Sequence, residues 1–211
     1  MRTATAPTRP LYRIGPLPDP VQWPPWSVVG QGRYDDPHAR FRVLYTAVQR
    51  RGCFLEMLAA LRPSLAMLTS IAAKAGSSIS RLATPLSAGW EQRLAMGRLR
   101  LTPGQHWLDL RYLSSRETLR AALAPMLVQL GLTDLDAGTI REPRRIVTQA
   151  IAAWAYDQGF QGIVYPSRLD DHVTCWAIFE GAAFLPVGAA QAIARDDPDL
   201  QATAALFGLV P

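Results

Sequence analysis

The sequence predicts an α+β fold. Strand-like and helix-like segments are mixed along the chain without the regular βαβ alternation of a parallel sheet, which leaves α+β or an irregular α/β arrangement. Of the 211 residues, 49% are hydrophobic and 18% charged, enough apolar material for a substantial core and too much for a disordered chain. No repeat period and no internal linker divides the sequence, so a single domain is expected over residues 1–211.

The elements follow in chain order. Seven of the 17 prolines fall in residues 1–25. The N-terminal segment, about residues 1–26, is therefore expected to be extended and irregular, packed on the surface of the domain. Its apolar pieces, Leu11 to Ile14 and Trp23 to Trp26, would tie it down. After the turn-like Gly30-Gln31-Gly32, the stretch from Phe41 to Ala47 is rich in β-branched and aromatic residues and reads as a strand. Cys53 to Leu61 has helical spacing, with Phe54, Leu58 and Leu61 on one face and Glu56 in the first turn. A second helix is expected from Leu65 to Lys74, a loop from Gly76 to Ser80, and short strands at Arg98 to Leu101 and Trp107 to Leu110.

Two long helices are expected next. One runs from Arg116 to Leu130 and stops at Gly131; the other starts near Pro143 and runs to Gln158, with Gly159 as its stop. Gln161 to Tyr165 and His172 to Phe179 read as two strands joined by a turn. The second is apolar on both faces, with Val173, Cys175, Ala177 and Phe179 on one and Trp176 and Ile178 on the other. It is expected to be a central strand covered on both sides.

Composition excludes several classes of function. No run of 18 uncharged apolar residues occurs, so no transmembrane helix is expected. Met1 to Pro10 has no apolar run of the secretory type, which points to a cytoplasmic protein. Cys53 and Cys175 lie far apart and have no metal-ligand company, so neither a disulfide framework nor a metal site is expected. Residues 1–105 hold 14 basic and 5 acidic residues, a balance of +9; residues 106–211 hold 8 and 12, a balance of −4. Lys74 is the only lysine among the 22 basic residues. An arginine-rich half suits an anion such as phosphate, which a guanidinium can grip with two hydrogen bonds. A nucleic-acid partner is disfavoured, because no long basic run and no finger, helix-turn-helix or RNP pattern is present.

Three local features could carry chemistry. Gly30-Gln31-Gly32-Arg33-Tyr34 is a tight turn that presents an arginine and an aromatic side by side. Glu56 is the only acidic residue between Asp36 and Glu91, among many arginines. Gly162 to Arg168 is a strand ending in a Pro166-Ser167 turn. Taken alone, each has a plainer reading: a solvated loop arginine, a glutamate stabilising a helix start, a turn-capping serine.

Taken in order, these stretches resemble the RES-domain family, whose name records an arginine, a glutamate and a serine. The resemblance runs through Gly32-Arg33-Tyr34, Val43-Leu44-Tyr45-Thr46-Ala47, Phe54-Leu55-Glu56, Thr148-Gln149-Ala150-Ile151-Ala152, Gly162-Ile163-Val164-Tyr165-Pro166-Ser167-Arg168 and Cys175-Trp176-Ala177-Ile178-Phe179. It implies an ADP-ribosyltransferase-like fold, a split, twisted β core with surrounding helices. It also implies a toxin of the toxin–antitoxin kind that degrades NAD at the nicotinamide–ribose bond. NAD would be the substrate rather than a resident cofactor, with water or inorganic phosphate as co-substrate. By position, Arg33, Glu56 and Ser167 would be the catalytic trio, and Tyr34 and Tyr45 substrate-binding companions.

The residue chemistry accords with that reaction. Arg33 could bind a pyrophosphate, with Arg13 and Arg42 as further phosphate contacts. Glu56 could stabilise the oxocarbenium-like ribosyl centre left when nicotinamide departs, a preorganised term typically worth about 3–4 kcal/mol. Ser167 is expected to orient substrate or Glu56, since no base stands beside it to make it a nucleophile. An antitoxin covering the active site is implied as a partner, and a homodimer is left open. Two rival readings stand beside this one: a protein mono-ADP-ribosyltransferase, and a non-catalytic module that binds a nucleotide or a partner.

Overall fold

The computed structural model describes residues 1–75, 84–87 and 89–211. The expected loop from Gly76 to Ser80 lies outside the described residues. Among those described, no helix is long and apolar enough to cross a membrane. The strands are β1 (Thr3–Ala4), β2 (Leu11–Pro16), β3 (Val43–Ala47), β4 (Thr84–Pro85), β5 (Leu94–Leu101), β6 (Trp107–Asp109), β7 (Gly162–Pro166), β8 (Thr174–Phe179), β9 (Phe184–Pro186), β10 (Gln191–Ala192) and β11 (Leu209–Val210). The helices are α1 (Arg50–Leu58), α2 (Leu65–Ala75), α3 (Leu113–Ala122), α4 (Ala124–Gln129), α5 (Ala137–Arg141), α6 (Ile146–Asp157) and α7 (Pro198–Phe207).

Nine strands form one large, mostly antiparallel sheet in the order β1-β6-β7-β8-β3-β2-β5-β10, with β9 also paired to β5. A second small sheet pairs β4 with β11. Strand β8 is central as expected, flanked by β7 and β3. Its two faces enter different cores. Val173, Cys175, Ala177 and Phe179 join the larger one, which contains the buried residues of α1, α3, α4, α6 and α7. Trp176 and Ile178 join a smaller one on the opposite face, where Leu11, Leu44, Leu99, Trp107 and Val164 meet Trp23 and Phe184 and, among the described residues, no helix contributes. Two apolar faces on one strand therefore reflect two covering layers.

The N-terminal segment departs from expectation. Instead of lying on the surface, Leu11–Pro16 is an interior strand, registered with β5 over six residue pairs from Leu11↔Leu99 to Pro16↔Leu94. Pro10 and Pro16 bracket it, where the missing N–H costs the ladder little. On its other side β2 meets β3 at one register pair only, Tyr12↔Ala47. The two strands part from there, and this is the split in the sheet.

The helices also differ in detail. The expected helix from Arg116 to Leu130 is two helices meeting at Leu123, because Pro125 lacks an N–H and its ring clashes with the carbonyl one turn back. The last long helix starts at Ile146, three residues beyond Pro143, after the separate short α5. Gly131 and Gly159 stop their helices at φ of +71° and +78° as expected. Helix α1 starts at Arg50, three residues earlier than its spacing suggests. Arg50 is held there by Asp197 and by Asp199 at 2.7 Å, both at the start of α7.

Candidate active site

A cavity of about 560 Å³ opens where β2 and β3 part, walled by α1 on one side and by the end of β7 and the α5–α6 turn on the other. Close packing brings α1 to this place. A Cβ on Gly52 would lie 2.6 Å from Val173 Cγ1 and 3.0 Å from Ala47 Cβ, so glycine lets the helix seat against β3 and the approach to β8. Gln49, just before the helix, spends its side chain on the carbonyl of His172 at 2.8 Å and the N–H of Thr174 at 3.1 Å.

That placement changes the meaning of Glu56. With the helix starting at Arg50, Glu56 stands in its last turn and not its first. The helix dipole disfavours a carboxylate there, so stabilisation of a helix start does not account for it. Its Oε1 instead accepts a hydrogen bond from Ser167 Oγ at 2.5 Å, with Cys175 Sγ 4.0 Å away. Its Oε2 has no partner among the described residues. Ser167 is fully buried behind the cavity wall. Its N–H donates to the Val173 carbonyl at 2.8 Å, and its Oγ accepts from the Leu169 N–H at 3.1 Å. Ser167 is not among the residues that line the cavity, and its hydroxyl is directed to Glu56.

Arg33 reaches the same cavity from a rigid turn. Asp35 Oδ2 accepts the N–H groups of Gly30 and Gly32 at 3.0 and 2.7 Å, and its Oδ1 accepts the Tyr45 hydroxyl at 2.7 Å. The Tyr45 oxygen in turn accepts the Tyr34 N–H at 2.8 Å. A Cβ on Gly32 would lie 2.3 Å from both Asp35 Oδ1 and the Tyr45 hydroxyl, so any other residue would push this hydrogen-bonded pair apart. From α6, Gln149 Nε2 donates to the carbonyls of Gly30 and Gly32 at 2.9 and 3.1 Å, and Arg145 donates to that of Gln31. Arg33 is anchored by Nη1 on the Ile140 carbonyl at 2.8 Å. Neither neighbouring acid pairs with it. Asp35 is committed to the turn, and Asp36 pairs with Arg40 at 2.9 Å.

The tyrosines divide their labour. Tyr45 spends its hydroxyl on the turn, and burial together with Asp35 raises its pKa well above the ordinary tyrosine value. Tyr34 lies against Tyr165 with ring centroids 4.5 Å apart, and its hydroxyl is buried with no partner among the described residues. Both cysteines line the cavity, and burial pushes Cys53 up to about 12 and Cys175 well above its usual value. At neutral pH they are thiols, unsuited to nucleophilic attack.

Two of the expected phosphate contacts have other employment. Arg13 lines the cavity but bridges the split, donating from Nη1 to the Tyr45 carbonyl at 3.0 Å and from Nε to the Pro20 carbonyl at 2.9 Å. Arg42 does not line it. Arg42 grips Glu180 through Nε at 3.0 Å and through Nη2, and stacks over Trp26 at 5.1 Å. The cavity instead gains Arg141, Arg145 and Arg168, to which the sequence assigns no role. Arg168 directly follows Ser167, and that adjacency is the one signal that points to it. Among the described residues, five arginines and one carboxylate, Glu56, therefore line the cavity, a setting that favours an anionic ligand.

The split, twisted sheet with helices around it is of the ADP-ribosyltransferase-like class. One solved structure similar to it is a chain of the M. tuberculosis MbcT-MbcA toxin–antitoxin complex, with a TM-score of 0.55 and 14% identity over 88% of this chain and 85% of that one. Within the class, the chain belongs to the RES domain family, whose model matches residues 10–201. Comparison with curated proteins finds no match.

Proposed function

We propose that this protein is an NAD-degrading enzyme of the toxin type. It would cleave the nicotinamide–ribose N-glycosidic bond and pass the ADP-ribosyl group to water or inorganic phosphate. Membership of the RES domain family and the toxin–antitoxin setting of the similar structure support the class. The observation that carries the reading is the pairing of Glu56 with Ser167 at 2.5 Å on the wall of an arginine-lined cavity.

The chemistry follows from that arrangement. The pyrophosphate of NAD is a dianion, and Arg33, held at one edge by the Ile140 carbonyl, keeps guanidinium donors for it. As nicotinamide leaves with the bonding electron pair, positive charge develops on the ribosyl C1 and ring oxygen. Glu56 Oε2 offers a carboxylate oxygen to that charge or to the ribose hydroxyls, while Ser167 fixes Oε1. The unpartnered Tyr34 hydroxyl is available to a polar group of the substrate. An oxygen of water or phosphate then forms the new bond to C1 and loses its proton to solvent. A protein of the antitoxin kind would cover the cavity, and the enzyme would act in the cytoplasm, where NAD is abundant.

Purified protein incubated with NAD, with and without phosphate, tests the proposal. Release of nicotinamide is expected, with ADP-ribose or its 1″-phosphate as the second product. Label transferred to a protein without free ADP-ribose would replace the reading with a protein ADP-ribosyltransferase. Binding of NAD without nicotinamide release would reduce the protein to a nucleotide-binding module.

A further inference from the structure

A second cavity of about 290 Å³ adjoins the first and shares Ile140, Arg141 and Pro166 with it. Three arginines line it: Arg111, Arg116 and Arg141. Each is anchored along one edge and leaves other donors unused. Arg111 donates to the buried Asp109 from Nε at 2.9 Å and from Nη2 at 2.7 Å. Arg116 donates from Nη1 to the carbonyls of Leu110 and Arg111 at 3.0 and 3.3 Å. Arg141 holds Asp171 with Nη2 at 2.8 Å. The Nε atoms of Arg116 and Arg141 are both buried with no acceptor among the described residues.

Buried guanidinium donors without acceptors weaken a fold unless something accepts from them. The nearby acids do not. Asp109 is taken up by Arg111, and Asp136 caps α5 through the Thr139 N–H at 2.7 Å. Asp171 stands on the rim with its side chain 72% exposed and, among the described residues, pairs with Arg141 alone. The rest of the wall is largely aliphatic, with the polar Thr174 at one side. The pocket therefore has a surplus of donors and few acceptors.

We propose that this second pocket is an oxyanion site for a phosphate-class group. The group is either free inorganic phosphate or a phosphate of a nucleotide whose remainder fills the first cavity. Its place in catalysis rests on the NAD reading above, whereas the binding itself does not. The two cavities meet at the end of α5. The Ile140 carbonyl carries the Nη1 of Arg33, and the neighbouring Arg141 faces both spaces. An anion drawn to Arg141 thus acts on the segment that anchors Arg33.

Calorimetric titration of the full chain with inorganic phosphate tests the site without any turnover. Saturable binding is expected, weakened at least about tenfold by Arg116→Gln and by Arg111→Gln, retained in Arg116→Lys and unchanged in Arg42→Ala, whose guanidinium lines neither cavity. Arg111 is partly exposed, so its variant keeps the test valid if Arg116→Gln fails to fold. Repeating the titration with ADP-ribose present separates the sources. Competition assigns the pocket to a nucleotide phosphate, and joint binding assigns it to the free ion. Absence of saturable phosphate binding, or wild-type affinity in folded Arg116→Gln and Arg111→Gln, overturns the proposal. Such results leave the NAD reading standing, because nicotinamide release is measured separately.

Discussion

Ser167 holds Glu56: its hydroxyl, fully buried, donates to a carboxylate oxygen 2.5 Å away on a residue 111 positions earlier. One partner directly follows β7 and the other stands in the last turn of α1, so the pair reports the docking of that helix on the sheet. A charged hydrogen bond of this kind is worth about 1.5–3 kcal/mol net. Ser167→Ala is therefore expected to lower kcat about tenfold to a hundredfold with little change in KM. Steady-state kinetics on NAD checks this, and an unchanged kcat would remove Ser167 from the mechanism.

Glu56→Gln is expected to cost more, about a hundredfold to a thousandfold in kcat, because in the proposed reaction it removes the charge that would face the developing cation. Stability should change by only about 1 kcal/mol, because the glutamine amide oxygen can still accept from Ser167 and relief of the unfavourable helix-end charge offsets the weaker bond. Denaturant unfolding alongside the rate measurement distinguishes a lost charge from a lost fold.

The two tyrosines give opposite expectations for the same substitution. Tyr45→Phe strands Asp35 Oδ1 and the Tyr34 N–H and should destabilise the protein by about 1–3 kcal/mol. Tyr34→Phe removes a hydroxyl that has no partner, so stability should stay within about 0.5 kcal/mol or rise. If that hydroxyl serves the substrate, Tyr34→Phe raises KM for NAD all the same. Equal stability losses in the two variants would contradict this division.

Arg42→Ala is expected to leave NAD turnover unchanged, since its guanidinium serves Glu180 and Trp26 away from the cavity. Arg168→Ala is expected to raise KM several-fold with kcat retained, because Arg168 lines the cavity and no ion pair among the described residues engages it. A loss of turnover in Arg42→Ala would return that residue to the site.

Acid should loosen the α1–α7 junction. The hydrogen bond from Arg50 holds the Asp197 pKa below the ordinary aspartate value. A depressed folded-state pKa gives stability that is present above the unfolded-state pKa and is lost as pH falls through the folded one. Asp197→Asn is expected to lower stability at neutral pH and to flatten its decline on the acid side. Unfolding midpoints measured from pH 7 down to about 3 read the slope directly.

Local signals in the chain carry much of the fold. The two apolar faces of β8 point to its central place, and Gly131 and Gly159 mark their helix ends, because periodicity and left-handed glycines need no distant partner. Strand β2 is hidden by the prolines around it, since composition registers Pro10 and Pro16 but not that they stand at a strand's ends. Strands β9 to β11 carry no comparable local signal, whereas helix α7 does carry one: Asp197 as N-cap, Pro198 at the first helical position and the left-handed Gly208 as its stop. The spacing puts Glu56 at the wrong end of its helix because the anchor of α1, Arg50 on Asp197 and Asp199, is made across the fold. The same limit hides Arg141 and Arg145, brought to the cavity by the α5–α6 turn, and hides the engagement of Arg42 with Glu180.

The parting of β2 from β3 after the single pair Tyr12↔Ala47 has a consequence for how such a protein can change. The cavity there is opened by the course of the backbone and not by a gap among side chains. Arg13, donating to the Tyr45 carbonyl, mends the interrupted ladder at the seam. The hollow is thus underwritten by topology. Substitutions along its walls can alter what it admits while the framework that opens it stays intact, so ligand preference is free to drift faster than the fold.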